Sequence, residues 1–330
     1  MFKKHFIASG VLAVVAVARL AGQAPAADKR STVWIQPHTT DGQPDIQGIW
    51  SNGTITPMER PAQFAGKEFL SEKEALDYEA QIAGNRNADR RDGSAQQDVS
   101  RAYNDFWYDW GNRVVKTRRT SMVVDPPDGR LPGLTPAAQK AQQARGEAYA
   151  RRATAPQDRI LTERCLLFPT AGPPMVPYAY NNNYQIIQTP GYVMIAIEMA
   201  HDVRVIPLDG SPHLPEGVRL WMGDSRGHWE GNTLVVDTTN FTAKTAFRGA
   251  DENLHVIERF TRIDSETIIY RFTVDDPTAF LAPWTGELPM VASAGPLFEY
   301  ACHEGNQGMV GILAGARADD AADEAAKKPK

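Results

Sequence analysis

An antiparallel β-barrel or sandwich with peripheral helices is the fold class that this sequence predicts, on three observations. Beyond residue 180 the chain is a succession of short β-branched and aromatic runs, at 184–188, 192–199, 203–207, 233–238, 254–262, 267–274 and 296–302. The links between most of them are short, which favours antiparallel neighbours over helical crossovers. Gly231-Asn232 stands between 228–230 and 233–238, the composition of a tight hairpin reversal.

Taken in order, residues 1–26 carry Lys3 and Lys4, an apolar run over 6–18 and the small residues Ala24-Pro25-Ala26, which is the layout of a secretory signal peptide. The expected organisation is therefore a signal peptide (1–26), an N-terminal arm with short strands and peripheral helices (27–168), a β-rich core (169–315) and a charged tail, helical or disordered (316–330). Residues 28–40 read as a polar surface arm, and Gly48-x-Trp50 enters a short β-like run. Ser71 with Glu74 three residues on is a capping box that opens a helix over 71–81, with Gly84 ending it. Residues 85–98 are charged and polar, a solvated loop. An aromatic cluster over 103–110 includes Trp107 and Tyr108, and 113–125 alternates as a strand. Thr135 and Pro136 are the N-cap and first turn of a helix to 152. The segment 169–177, P-T-A-G-P-P-M-V-P, is the natural internal boundary and reads as a loop.

Charge and cysteine content narrow the function classes. The net charge of −5 becomes −8 once Lys3, Lys4 and Arg19 are removed with the leader, since no acid lies there. Such a chain is a poor general binder of nucleic acid or anionic lipid. No later stretch approaches roughly 18 uninterrupted apolar residues, so membrane insertion of the mature chain is not expected. A periplasmic or secreted location follows, and there the two cysteines, Cys165 and Cys302, are expected to form one structural disulfide.

The chemistry-bearing residues concentrate in the second half. In the run 254–260, Leu254, Val256, Glu258 and Phe260 share one face while His255, Ile257 and Arg259 take the other, which makes Glu258 a candidate buried carboxylate. Glu198 alternates with Tyr192, Met194 and Ala196 on a strand whose other face is apolar. A buried carboxylate needs a cationic partner or a raised pKa, and Arg204, His201, Arg259 and Arg271 are the nearby candidates. His201, His228 and His255, with Glu198 and Glu258, are therefore the candidate acid–base residues. Trp229, Glu230, Arg204, Arg259, Trp107, Tyr108, Trp284 and His303 are the candidate ligand contacts. Gly223 to Gly227 matches G-x-S-x-G around Ser225, but a strand rather than a helix follows, so the glycines read as turn formers. Neither H-x-H nor H-E-x-x-H occurs, so no metal is expected, and no phosphate-cradling glycine loop calls for a nucleotide cofactor.

The segments Asp45 to Trp50, Gly223 to Phe241, 258–262, Asp275-Asp276-Pro277 with Pro283-Trp284-Thr285, and 299–302 together resemble a family of uncharacterised exported bacterial proteins common in soil bacteria. That resemblance implies export and carries over no catalytic residue. Gly48-x-Trp50 and the run of hairpins are also similar to lipocalin-like barrels. Two functions fit these residues best, an exported barrel that binds a small apolar or aromatic molecule, or a cofactor-independent lyase, isomerase or hydrolase that uses a histidine–carboxylate pair, while the polar arm and charged tail also fit a structural or interaction protein of the cell envelope.

Overall fold

The structure is a computed structural model, and it describes residues 34–86, 93–100 and 111–327. The expected leader and the aromatic cluster with Trp107 and Tyr108 lie outside the described residues.

Alternation of apolar and polar residues builds most of the strands. The elements in order are β1 (Gly48–Ser51), α1 (Glu72–Arg86), α2 (Ala95–Ser100), β2 (Val123–Asp125), α3 (Pro136–Ala150), β3 (Asn183–Thr189), β4 (Tyr192–Ile197), β5 (Val203–Pro207), β6 (Asp224–Glu230), β7 (Thr233–Thr239), β8 (His255–Asp264), β9 (Thr267–Asp275), β10 (Trp284–Ala292) and α4 (Gln307–Ala326). They form one antiparallel sheet in the order β5-β4-β3-β1-β10-β9-β8-β7-β6, with the short β2 on the edge of β10. This is the predicted mainly β architecture, a nearly closed barrel with peripheral helices.

Nine alternating strands have a geometric consequence. The first and last, β5 and β6, run the same way, and a parallel pair needs a connection that travels back the length of the strands. Residues 208–223 make that return. No backbone ladder joins β5 to β6 among the described residues, so side chains close the seam. Gly227 on β6 is needed there, because a Cβ would stand 2.7 Å from Leu208 Cδ2 and 2.8 Å from Ile206 Cγ2.

The barrel is filled rather than hollow. Trp50, Tyr184, Phe260, Tyr270, Phe272 and Trp284 are all buried inside it. The proline-rich 169–177, read as a boundary loop, is drawn into one end as a plug, with Thr170, Ala171 and Met175 fully buried. A buried loop must satisfy its backbone groups, and interior side chains do so here. Met175 N donates to the Tyr270 hydroxyl at 2.9 Å, the Tyr184 hydroxyl donates to Thr170 O at 3.0 Å, and Asn52 Nδ2 donates to Met175 O at 3.2 Å.

Several local expectations are corrected. The helix α1 opens on the predicted box, with Ser71 N donating to Glu74 Oε2 at 2.9 Å and Glu74 N to Ser71 Oγ at 3.3 Å. It then runs through Gly84 to Arg86, since one helical glycine costs only about 1 kcal/mol. The span 113–125 is a strand only at β2: Arg118 takes a left-handed φ of 57°, and Val115 N is claimed by Thr56 Oγ1 at 2.9 Å. Residues 224–227 belong to β6 instead of a turn, and the reversal falls at Gly231 as expected. The span 296–302 is not a strand, because its amides serve side chains: Phe298 N donates to Glu198 Oε1 at 3.1 Å and Tyr300 N to His201 Nε2 at 3.2 Å. In its place β10 completes the sheet. Its Gly286 and Pro289 hide it in the sequence, but Pro289, which cannot donate, sits where the edge passes from β2 to β1. Most of the expected tail is α4, capped by Asn306, whose side chain accepts from Met309 N at 3.1 Å. Cys165 and Cys302 are joined as expected.

A Cβ at Gly286 would collide with the Phe272 ring inside the barrel. Gly286→Ala is expected to cost about 1–3 kcal/mol by overpacking, read as a lower denaturation midpoint; an unchanged midpoint would mean that the interior is looser than described.

Candidate functional site

Glu258 points into the barrel from β8 and is fully buried, as the alternation along its strand requires. Its partner is Arg204 from β5, which reaches across the seam. Arg204 Nη1 donates to Glu258 Oε1 at 2.9 Å, and Nη2 bonds Oε2 to complete a two-pronged pair. The Tyr270 hydroxyl donates to Glu258 Oε1 at 2.7 Å. Arg204 Nη2 also donates to Ser225 Oγ on β6 at 3.4 Å, and Ser225 Oγ lies 2.9 Å from Thr238 Oγ1. Burial and the charge of Glu258 hold the Tyr270 hydroxyl well above its ordinary range, so it remains a donor. This cluster is sealed beneath the 169–177 plug, and Ser225 serves it as a hydrogen-bonding residue of the seam.

The other candidates disperse. Glu198 is buried in the turn after β4, where Oε2 accepts from Asn183 Nδ2 at 2.8 Å. Neither Glu198 nor Glu258 has a histidine as hydrogen-bond partner among the described residues. His201 follows in the same turn, exposed, with left-handed φ values at both Ala200 (62°) and His201 (56°). Beside it the half-buried Asp202 carboxyl is pushed up to about 6 by burial, with the His201 charge opposing. His228, Glu230 and Arg259 form a chain on the outer face of the sheet, with His228 Nε2 3.2 Å from Glu230 Oε1 and Arg259 Nη2 2.6 Å from Glu230 Oε2. Trp229 is partly buried on the inner face of β6, Trp284 is core packed against Phe247, Phe272 and Phe280, and His303 is exposed.

A second ionic cluster escaped the sequence reading. His255 Nε2 lies 3.0 Å from both oxygens of Asp237 on β7, and His213 Nε2 lies 3.0 Å from Asp237 Oδ1. His213 comes from the 208–223 return and also places Nδ1 3.0 Å from Asp224 Oδ2. The cluster fastens the return segment to the outside of the sheet. Among the described residues no group of three or more His, Cys, Asp or Glu is placed to hold a metal ion.

A concave feature lies at the barrel end, beside the plug. A cavity of about 720 Å³ lies between the segment after β1 (Thr54 to Met58), α1 (Tyr78, Arg86) and the segment before β3 (Val176 to Tyr180), with Arg248 at its side. Tyr178, Tyr180 and Tyr78 give it aromatic walls, and Ile55, Met58 and Val176 give it apolar ones. The signal for it was partly visible, since Tyr178-x-Tyr180 follows the proline-rich segment. Arg248 carried none, being one arginine in a loop.

Two tests follow. Removing half of a buried ion pair strands the other charge, so Glu258→Gln should lose about 3–5 kcal/mol. An Arg204→Met/Glu258→Leu double variant should recover most of that loss; a double variant as unstable as Glu258→Gln would contradict the assignment. For the outer cluster, the hydrogen bond to Asp237 raises the pKa of His255, and the same bond lowers that of Asp237. A raised histidine stabilises fully below its unfolded value near 6.5 and loses this as pH rises through the folded value. The Asp237 contribution is present above the unfolded value of 3.8 and is lost as pH falls through the lower folded value. The stability difference between the wild type and His255→Gln, measured by urea unfolding, should thus be largest at mildly acidic pH and shrink through the alkaline side; a flat difference would contradict it. No family model, curated protein or solved structure matches this chain.

Proposed function

We propose that this chain is an exported binding protein that takes up a small, largely aromatic molecule in the cavity at the barrel end. The observation that carries this reading is the cavity itself, about 720 Å³ with three tyrosines among its walls. Its size is within the range of small-ligand sites, and apolar and aromatic walls with a few polar groups are their usual composition. The packed interior leaves binding to the end of the barrel, and the turn-rich 169–177 plug is the floor beside which a ligand would rest. Export is supported by the Cys165–Cys302 disulfide and by the leader-like first 26 residues. None of the described helices is long and apolar enough to cross a membrane.

Ala179 lines the cavity, and a tryptophan in its place would occupy part of the volume. A neutral fluorescent probe such as N-phenyl-1-naphthylamine is expected to bind the wild type saturably and Ala179→Trp at least about tenfold more weakly, in proportion to the contact area lost. Equal binding by both proteins would overturn the reading.

A further inference from the structure

The lining of the cavity inverts the charge of the chain around it. The whole protein carries −5, yet the described lining holds two arginines, Arg86 and Arg248, and no Asp or Glu. Arg248 is held out by a tight turn in which Phe247 N donates to Ala250 O at 2.8 Å and Ala250 N to Phe247 O at 3.0 Å. That turn is clamped on the core side, where the Phe247 ring stacks on Trp284 at 6.2 Å and Ala250 is fully buried. Arg248 itself sits at a left-handed φ of 52° and the next residue, Gly249, at 111°. A non-glycine residue in that region is strained, and surrounding packing has to enforce it. The guanidinium has no hydrogen bond or ion pair among the described residues. Glu59, a carboxylate whose charge acts on it, is engaged elsewhere, with Arg130 Nε at 3.3 Å and the Leu131 amide at 3.1 Å. Arg248 is an exposed residue of the cavity lining, so its guanidinium is open to an incoming group. Tyr178 also lines the cavity, and its phenol hydroxyl, protonated at neutral pH, is a further donor there.

We propose that the molecule bound here is an aromatic carboxylate, its ring between the tyrosines and its carboxylate on the guanidinium of Arg248. This inference rests on the binding function proposed above. The planar guanidinium of Arg248 matches the two oxygens of a carboxylate in a two-pronged pair. A cation would be repelled by Arg248.

The test compares three probes with one ring system, 2-naphthoate, 2-naphthamide and 2-naphthyl phosphate, as competitors of the neutral fluorescent probe at constant ionic strength. In the wild type, naphthoate should displace the probe at about tenfold lower concentration than naphthamide, the factor expected of one charge-assisted pair. Arg248→Gln should bring naphthoate to the level of the amide and leave the amide unchanged, with Arg248→Lys falling between them. If the amide competes as well as naphthoate, or if naphthyl phosphate is the strongest of the three, the carboxylate assignment is overturned while the cavity remains a binding site. Should the neutral probe itself fail to bind, the function proposed above falls, and this inference with it. The wild-type comparison decides the question even if a variant folds poorly.

Discussion

The pair formed by Arg204 and Glu258 is the contact on which the rest of this barrel depends. Nine alternating strands cannot close with an antiparallel ladder, and β5 and β6 meet as parallel neighbours with no backbone ladder between them. What spans that seam is an arginine on one edge strand bonded to a carboxylate on the third strand from the other edge, and to Ser225 on that edge itself. The desolvation cost of two buried charges is large, and only a near-ideal pairing offsets it. Here the carboxylate receives both prongs of the guanidinium and a tyrosine hydroxyl. The pair is thus a registration device: it is favourable in one arrangement of the two edges and costly in any other.

The same network fixes the plug. Tyr270 donates to Glu258 and accepts from Met175, so the residue that satisfies the buried charge also holds the segment that fills the barrel end. Tyr184 and Asn52 continue the chain of bonds to Thr170 and Met175. An interior committed to this network has no room for a ligand, and the binding proposed for this chain is assigned instead to the neighbouring cavity, where the plug emerges as Val176 to Tyr180. The 208–223 return is the other consequence of the parallel seam. It lies outside the sheet and is fastened there by His213 to Asp224 and Asp237.

What the sequence made legible follows from periodicity. The period of two put Glu258 on the buried face of its strand, the cost of an unpaired buried charge made Arg204 one of four possible partners, and the Gly231-Asn232 reversal and the capping box at Ser71 were local signals with local causes. Features that depend on tertiary context were not legible. β10 was hidden because Gly286 and Pro289 argue against a strand unless one knows that Phe272 needs the space and that the neighbouring edge changes at the proline. The 296–302 span has strand composition, but its amides are taken by Glu198 and His201, which are distant in the chain. A proline-rich loop carries no mark of burial, so the plug could not be read as one. Arg248 owes its place to a strained turn clamped by Phe247 on Trp284, and a single strained φ leaves no pattern in a sequence.

The central claim is that the barrel interior is sealed and that binding takes place at its end. Chemical-shift mapping of the labelled protein during titration with the neutral fluorescent probe tests it most directly. The account predicts shifts concentrated at Val176 to Tyr180, Met58 and Arg248, with Phe260, Tyr270 and Phe272 unmoved. Shifts centred on those interior aromatic residues would contradict it.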